Sequence, residues 1–146
     1  MRVLVQRSKK SSVSVDNNIV GSIDNGLVLF IGFTHDDTIT DIEKLARKVV
    51  NLRIFDDENG IMNKSLLNTG GQILSISQFT LYGDASNGNR PSYINAMKGE
   101  DAIKLYEGFN EELKHYGVDV QTGIFGADMD VKIDNNGPVT IWLESR

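Results

Sequence analysis

The chain has 146 residues, 40% of them hydrophobic and 24% charged, the proportions of a globular protein rather than of a disordered or fibrous one. Twenty acidic side chains against fifteen basic ones leave a formal net charge of −5, which argues against long duplex DNA or an anionic membrane as a partner held by nonspecific attraction. There is no cysteine, so disulfides, thiol nucleophiles and thiolate metal sites are excluded, and a reducing cytoplasm is the natural expectation.

The opening run Met1-Arg2-Val3-Leu4-Val5-Gln6-Arg7 alternates like a strand and lacks the apolar stretch and cleavage site of a signal peptide. The longest apolar run, Gly26 to Phe33, falls far short of the ~20 residues that span a bilayer. Four strands are expected in this first part. Arg2–Arg7 is followed by Ser12–Asp16, then by Ile19–Ile23 after a turn at Asn17-Asn18, and by Leu27–Phe33 after a turn at Asp24-Asn25-Gly26. The last is apolar on both faces and belongs in the centre of a sheet.

Helical periodicity follows. Ile39, Ile42, Leu45, Ala46, Val49 and Val50 form one stripe, with Asp36, Asp37 and Thr38 as candidate caps. The acidic run Asp56-Asp57-Glu58-Asn59-Gly60 is a turn, since it lacks the spaced oxygen ligands of a calcium loop. Gln72–Tyr82 is the strongest strand pattern of the second half. A Gly- and Asn-rich loop, Gly83 to Asn89, leads to Arg90-Pro91, and a second helix starting near Gly99-Glu100-Asp101 turns Ala102, Ile103, Tyr106, Phe109 and Leu113 inward. Three strands close the chain: Val118–Thr122, Met129–Ile133 and Pro138–Leu143, the last two joined by a turn at Asp134-Asn135-Asn136-Gly137. The whole, residues 1–146, is expected to be one α+β domain with a mostly antiparallel, strongly curved sheet or open barrel covered by two helices.

Conventional catalytic apparatus is missing from this pattern. The only histidines, His35 and His115, lie in no arrangement that pairs a base with a nucleophile, and no cluster of His, Asp and Glu has ligand spacing, so neither metal nor cofactor is expected. An enzyme built from this chain works with backbone groups, hydroxyls and amides. Such groups suffice for an activated ester, where one oxyanion donor contributes about 3–4 kcal/mol.

Two segments stand out. In Ser77-Gln78-Phe79-Thr80-Leu81, read as part of a strand, Gln78 and Thr80 share one face while Ser77, Phe79 and Leu81 share the other; a polar barrel face with internally satisfied hydrogen bonds explains this as well as a site does. No base accompanies Thr80, so a nucleophilic role is not supported. In Asn135-Asn136-Gly137-Pro138-Val139-Thr140, a turn leads into a strand that tolerates proline at its first residue, which a simple hairpin explains.

Taken together, Ser77-Gln78-Phe79-Thr80-Leu81 and Asn136-Gly137-Pro138-Val139-Thr140 resemble the two signature motifs of the D-aminoacyl-tRNA deacylases. The resemblance extends to Val5-Gln6-Arg7, Asn89-Arg90-Pro91-Ser92-Tyr93 and Thr122-Gly123-Ile124-Phe125-Gly126-Ala127-Asp128-Met129, in order and over essentially the whole chain; Tyr93 stands where Phe is common and Asn136 where Asp is common. What the resemblance implies is a cytoplasmic homodimer that hydrolyses the ester between a D-amino acid, or glycine, and the 3′ end of tRNA. It implies a Gly-cis-Pro element, Gly137 and Pro138, that reaches the partner's site, holds the α-ammonium and rejects L-amino acids. It implies Ser77, Gln78, Phe79 and Thr80 at the scissile ester, with a backbone N–H near Phe79–Thr80 as oxyanion donor and the substrate's 2′-hydroxyl or a water as activating group. Arg7 and Met129 would support Gly137–Pro138, and Phe125 would line the adenosine pocket. Arg2, Arg7, Lys9, Lys10 and Arg90 are candidates for a basic rim. Two other readings stay open: an editing domain for noncognate L-aminoacyl-tRNA, and a non-catalytic module that binds an RNA 3′ end.

Overall fold

The structure is a computed structural model that describes residues 1–146. Its first element is one strand, β1 (Arg2–Val15), not two. One edge of β1 pairs antiparallel with β8 (Asp130–Glu144) over nearly its whole length. Its other edge takes β3 (Gly26–Gly32) along Arg2–Ser8 and β2 (Asn18–Ile23) along Ser11–Val15. The reversal expected at Asn17 is present, with Asp16 and Asn17 at φ 50° and 63°. Asp24-Asn25-Gly26 is not a reversal. β3 continues in the direction of β2, and the chain merely jogs there, opposite an extra β1 residue between Ser8 and Ser11. Gly26 makes the jog possible, because its φ of 137° and its contact with the Gln72 backbone leave no room for a Cβ.

β6 (Gln72–Ser77) pairs parallel with β3, and β7 (Val120–Thr122) parallel with β6, so the sheet mixes antiparallel and parallel ladders. It curls until Gly21 of β2 lies against the Thr122 carbonyl of β7, closing most of a barrel. β4 (Phe55–Asp56) and β5 (Met62–Lys64) form a separate small hairpin. The acidic run between them is the expected turn: Asp57 Oδ1 accepts from the N–H groups of Asn59 and Ile61 at 2.9 and 3.0 Å.

Three α-helices cover the sheet rather than the two expected: α1 (Ile39–Asn51), the short α2 (Leu66–Thr69) and α3 (Gly99–His115). Thr38 caps α1, with Asp41 Oδ2 accepting from its N–H at 2.8 Å. Ile42, Leu45, Val49, Phe109 and Leu113 are buried between helices and sheet with Val3, Val5, Leu29 and Ile31. A smaller cluster of Val13, Ile23, Val28, Leu74 and Ile76 fills the other face, against Met129, Val131 and Ile133. No helix is long and apolar enough to cross a membrane.

Two readings from sequence are corrected where they bear on the site. Gln72–Tyr82 is not one strand: β6 ends at Ser77, and Phe79–Tyr82 forms a 3₁₀ turn. The cause is Gly32 at the end of β3. With no side chain there, Gln78 O, Leu81 and Tyr82 close over the strand; a Cβ would lie 2.9 Å from that carbonyl. Met129–Ile133 and Pro138–Leu143 are likewise not a hairpin but parts of the single strand β8. The segment around Asn136–Val139 bulges out of the ladder, whose register jumps from Asn135 opposite Ser8 to Thr140 opposite Gln6.

Candidate active site

A cavity of about 630 Å³ opens beside the ends of β3 and β6. Phe30, Gly32 and Phe33 come from β3 and its exit, Ile76, Ser77, Gln78 and Phe79 from the end of β6, and Gly99 and Ala102 from the first turn of α3. Phe125 to Met129 form another wall, and Tyr93 reaches in from the loop before α3. Of the residues expected at a site, Ser77, Gln78, Phe79, Phe125 and Met129 are thus brought together. Thr80, Arg7, Gly137 and Pro138 do not line this cavity.

The break in β6 matters chemically. Gln78 N–H still donates to Ile31 O at 2.7 Å, but the N–H groups of Phe79 and Thr80, which begin the 3₁₀ turn, donate to no protein acceptor. Consecutive free N–H groups beside a cavity are the donor arrangement that stabilises a developing oxyanion. The face shared by Gln78 and Thr80 does not exist as a strand face, yet the two side chains do meet: Thr80 Oγ1 donates to Gln78 Oε1 at 2.7 Å. An amide oxygen is not a base, so Thr80 has no partner to make it a nucleophile.

Behind the cavity a buried polar cluster fixes α3 to β6. Tyr106 donates its hydroxyl to Ser75 O at 2.7 Å, and Ser75 Oγ donates to Asn110 Oδ1 at 2.6 Å. Burial pushes the Tyr106 phenol above its ordinary pKa, against the smaller opposing effect of its hydrogen bonds with Ser75 and Asn110, so it remains a neutral donor. The Tyr106 ring also supports Phe125, with centroids 5.7 Å apart. Met129 is held by a second close fit, its sulfur lying where Gly123 would carry a Cβ.

Gly137 and Pro138 project elsewhere, from the β8 bulge, and the bond between them is cis. Four side chains brace this tip. Arg7 Nε donates to Asn136 O at 3.1 Å and Arg7 Nη1 to Ile54 O at 2.8 Å, with the Asp56 carboxylate 3.6 Å away. Asn135 Nδ2 donates to Arg7 O at 3.0 Å and to Val139 O at 3.2 Å, while its Oδ1 accepts from Gln6 Nε2 at 3.0 Å. Thr140 Oγ1 donates to Pro138 O at 2.9 Å. Arg7 thus ties the tip, at Asn136 O, to the backbone of Ile54. Met129 lines the cavity instead. Asn136 contributes its backbone carbonyl to this bracing, so its amide in place of a carboxylate leaves that contact intact.

Sequence reasoning missed Asn135, Thr140 and Gln6 as supports, although Gln6 and Thr140 are directly paired across the ladder. It also missed the contribution of α3, whose signal was the small pair Gly99 and Ala102 one turn apart. Arg2 is not a free rim cation: it stacks 4.3 Å over the Tyr82 ring and donates to Leu81 O at 2.7 Å. Arg2 is half-buried and Arg7 buried, whereas Lys9, Lys10 and Arg90 are exposed.

The family described as D-Tyr-tRNA(Tyr) deacylase matches residues 4–144. The chain belongs to that family. D-aminoacyl-tRNA deacylases of Bacillus cytotoxicus and Anoxybacillus flavithermus are each 56% identical to it over 146 residues, covering all of both chains. A solved structure described as c-Myc DNA Unwinding Element Binding Protein superimposes with a TM-score of 0.94 at 39% identity, over 100% of this chain and 99% of that one. A probable eukaryotic D-amino acid tRNA deacylase shares the fold, with a TM-score of 0.84 at 19% identity over 97% of each chain. The enzyme is a hydrolase acting on the ester of D-aminoacyl-tRNA.

Proposed function

We propose that two copies of the chain build each site, the cavity coming from one and the Gly137–Pro138 tip from the other. In this cytoplasmic homodimer the carbonyls of Gly137 and Pro138 accept hydrogen bonds from the α-ammonium of the bound amino acid. The N–H groups of Phe79 and Thr80 face the ester carbonyl. With ammonium and carbonyl both pinned, a D side chain points into open space and an L side chain runs into the tip backbone. Glycine, having no side chain, is accepted. Rejection of this kind acts through steric conflict with the wrong hand, and so tolerates many D side chains.

Hydrolysis then needs no protein base. A water attacks the acyl carbon, negative charge collects on the carbonyl oxygen opposite the two N–H groups, and the bond to the ribose 3′-oxygen breaks as that oxygen takes a proton. The neighbouring 2′-hydroxyl is placed to orient the water and pass the proton. The products are a free D-amino acid and tRNA with a free 3′-hydroxyl.

The observation that carries this reading is the pair of unpartnered N–H groups at Phe79, which lines the apolar cavity, and at Thr80, the residue next to it. The separation of tip and cavity within one chain supports the need for a second copy. So does β8, a 15-residue strand whose only strand partner is β1 and whose inward side chains Val139, Ile141 and Leu143 remain partly exposed. The test is hydrolysis of D- and L-tyrosyl-tRNA, each with a normal and a 2′-deoxy terminal adenosine, by the wild type and Thr80→Val. The D ester alone should be cleaved, Thr80→Val should retain substantial activity, and the 2′-deoxy substrate should be inert. A dead Thr80→Val with an active 2′-deoxy substrate would falsify the substrate-assisted account, and equal cleavage of both hands would remove the steric one.

A further inference from the structure

Phe79 and Tyr93 leave their rings at the cavity mouth, 56% and 42% exposed, with centroids 5.1 Å apart at an interplanar angle of 70°. An edge-to-face pair leaves ring faces uncovered by the pair itself. The proposed mechanism takes only the backbone of Phe79, which leaves its ring and that of Tyr93 free to contact a ligand at the mouth.

Tyr93 is held in place before any substrate arrives. Asp84 and Ser92 exchange backbone hydrogen bonds of 2.8 Å at the base of its loop, and Met97 N–H donates to Phe33 O at 3.0 Å. Thr34 Oγ1 donates to Asn95 O at 2.5 Å, and His35 Nε2 lies 2.8 Å from Ile94 O. The ring rests over Gly83, where a Cβ would be 3.0 Å from Tyr93 Cε1. A ring fixed in this way loses little freedom on binding.

The inner wall of the cavity, made by Met97, Ala102, Phe125 and Met129, is a separate apolar surface that suits the terminal adenosine. The lip lies outside it, where the RNA strand must leave. Charge at the lip is mixed: the chain carries −5 overall and Arg2 and Arg7 are engaged within the fold, while Arg90 and Lys98 are exposed on the segment that carries Tyr93 and Asp128 lines the cavity. Without a uniformly basic surface, a single-stranded RNA end is gripped here in large part by base stacking. We infer that the Phe79–Tyr93 lip is a stacking shelf for the nucleobase immediately 5′ to the terminal adenosine, with Tyr93 as its main ring. This rests on the reading of the cavity under Proposed function.

The test compares two small substrates, the 3′-O-D-tyrosyl esters of adenosine and of cytidylyl-(3′→5′)-adenosine, with wild type, Tyr93→Leu and Tyr93→Phe. The added nucleotide should raise kcat/KM for the wild type. Tyr93→Leu should lower kcat/KM for the longer ester by roughly tenfold more than for the shorter one, mainly through KM, as expected for one base stacked on an aromatic ring. Tyr93→Phe should restore the wild-type ratio, and the ratio should change little with salt. Equal losses on the two esters, or no gain from the added nucleotide in the wild type, would overturn the shelf while leaving the cavity reading intact. A wild type that hydrolyses neither D ester would overturn the cavity reading itself, and the shelf with it.

Discussion

Arg7 falls on the same face of β1 as the buried Val3 and Val5, so only 9% of the residue is exposed, and its guanidinium ends on two main-chain carbonyls. A buried cation is tolerated because its donors are matched, and the planar fork of arginine serves Asn136 O and Ile54 O at once. A lysine head is more compact and reaches one of the two. Arg7→Lys should therefore lower D-aminoacyl-tRNA hydrolysis tenfold or more and cost about 1–3 kcal/mol in urea unfolding, through a carbonyl left without its donor. Unchanged turnover in a destabilised protein would show that the Gly137–Pro138 tip needs no such brace. Gly137 bears on the same contact: its φ is 118°, and a Cβ would lie 2.8 Å from Arg7 Nη2, so Gly137→Ala strains the tip directly. Neither role was visible from local pattern, because the partners of Arg7 are 47 and 129 residues away in the chain. Only resemblance to a family pointed there.

At the scale of elements, what could be read was what local chemistry decides. The stripe from Ile42 to Val50 is an α-helix because its apolar side repeats at helical spacing, and Thr38 caps it through a contact three residues away. The small helix Leu66–Thr69 went unread, since one turn is too short to show a period. Elements shaped by distant neighbours were misread. Apolar alternation runs through Ser77 to Tyr82, but Gly32 of another strand offers the space that lets the chain turn. Asn135-Asn136-Gly137 carries a hairpin signal, but β1 pairs on both sides of it and turns the hairpin into a bulge. The link between α3 and β6 belongs to the same class, since Ser75 and Asn110 are polar residues 35 apart in the chain, yet they hydrogen-bond at 2.6 Å in the interior. Removing either partner strands the other. Asn110→Leu and Ser75→Val should each destabilise by about 1–3 kcal/mol, while the double variant should cost clearly less than their sum, with a coupling of about 0.5–3 kcal/mol. Urea midpoints of the four proteins measure this, and strictly additive losses would mean that the pair does not act as a unit.

The molecule as a whole separates two things its chemistry must bring together. The cavity includes Val131 on β8 and the tip lies at Gly137 on the same strand; the four strand steps from Val131 to Asn135 alone span roughly 13 Å before the bulge begins. No residue from Asn135 to Val139 lines the cavity. If one molecule cannot bring its own tip to its own cavity, the two defects of a mixed pair are separable. Ala127→Trp fills a cavity and leaves the tip of that chain intact, and Gly137→Ala spoils a tip and leaves the cavity of that chain intact. Each variant alone should be nearly inactive on D-tyrosyl-tRNA. Unfolded and refolded together, half of the pairs formed at random are mixed, and each mixed pair holds one site with a sound cavity and a sound tip. Activity should then return to roughly a quarter of the wild-type level per total site, since one of the two sites in half of the pairs is whole. Sedimentation of both variants as dimers would show that assembly itself survives. If the mixture remains as inactive as its components while the variants still assemble, tip and cavity belong to the same chain, and the geometry must close within one molecule rather than between two.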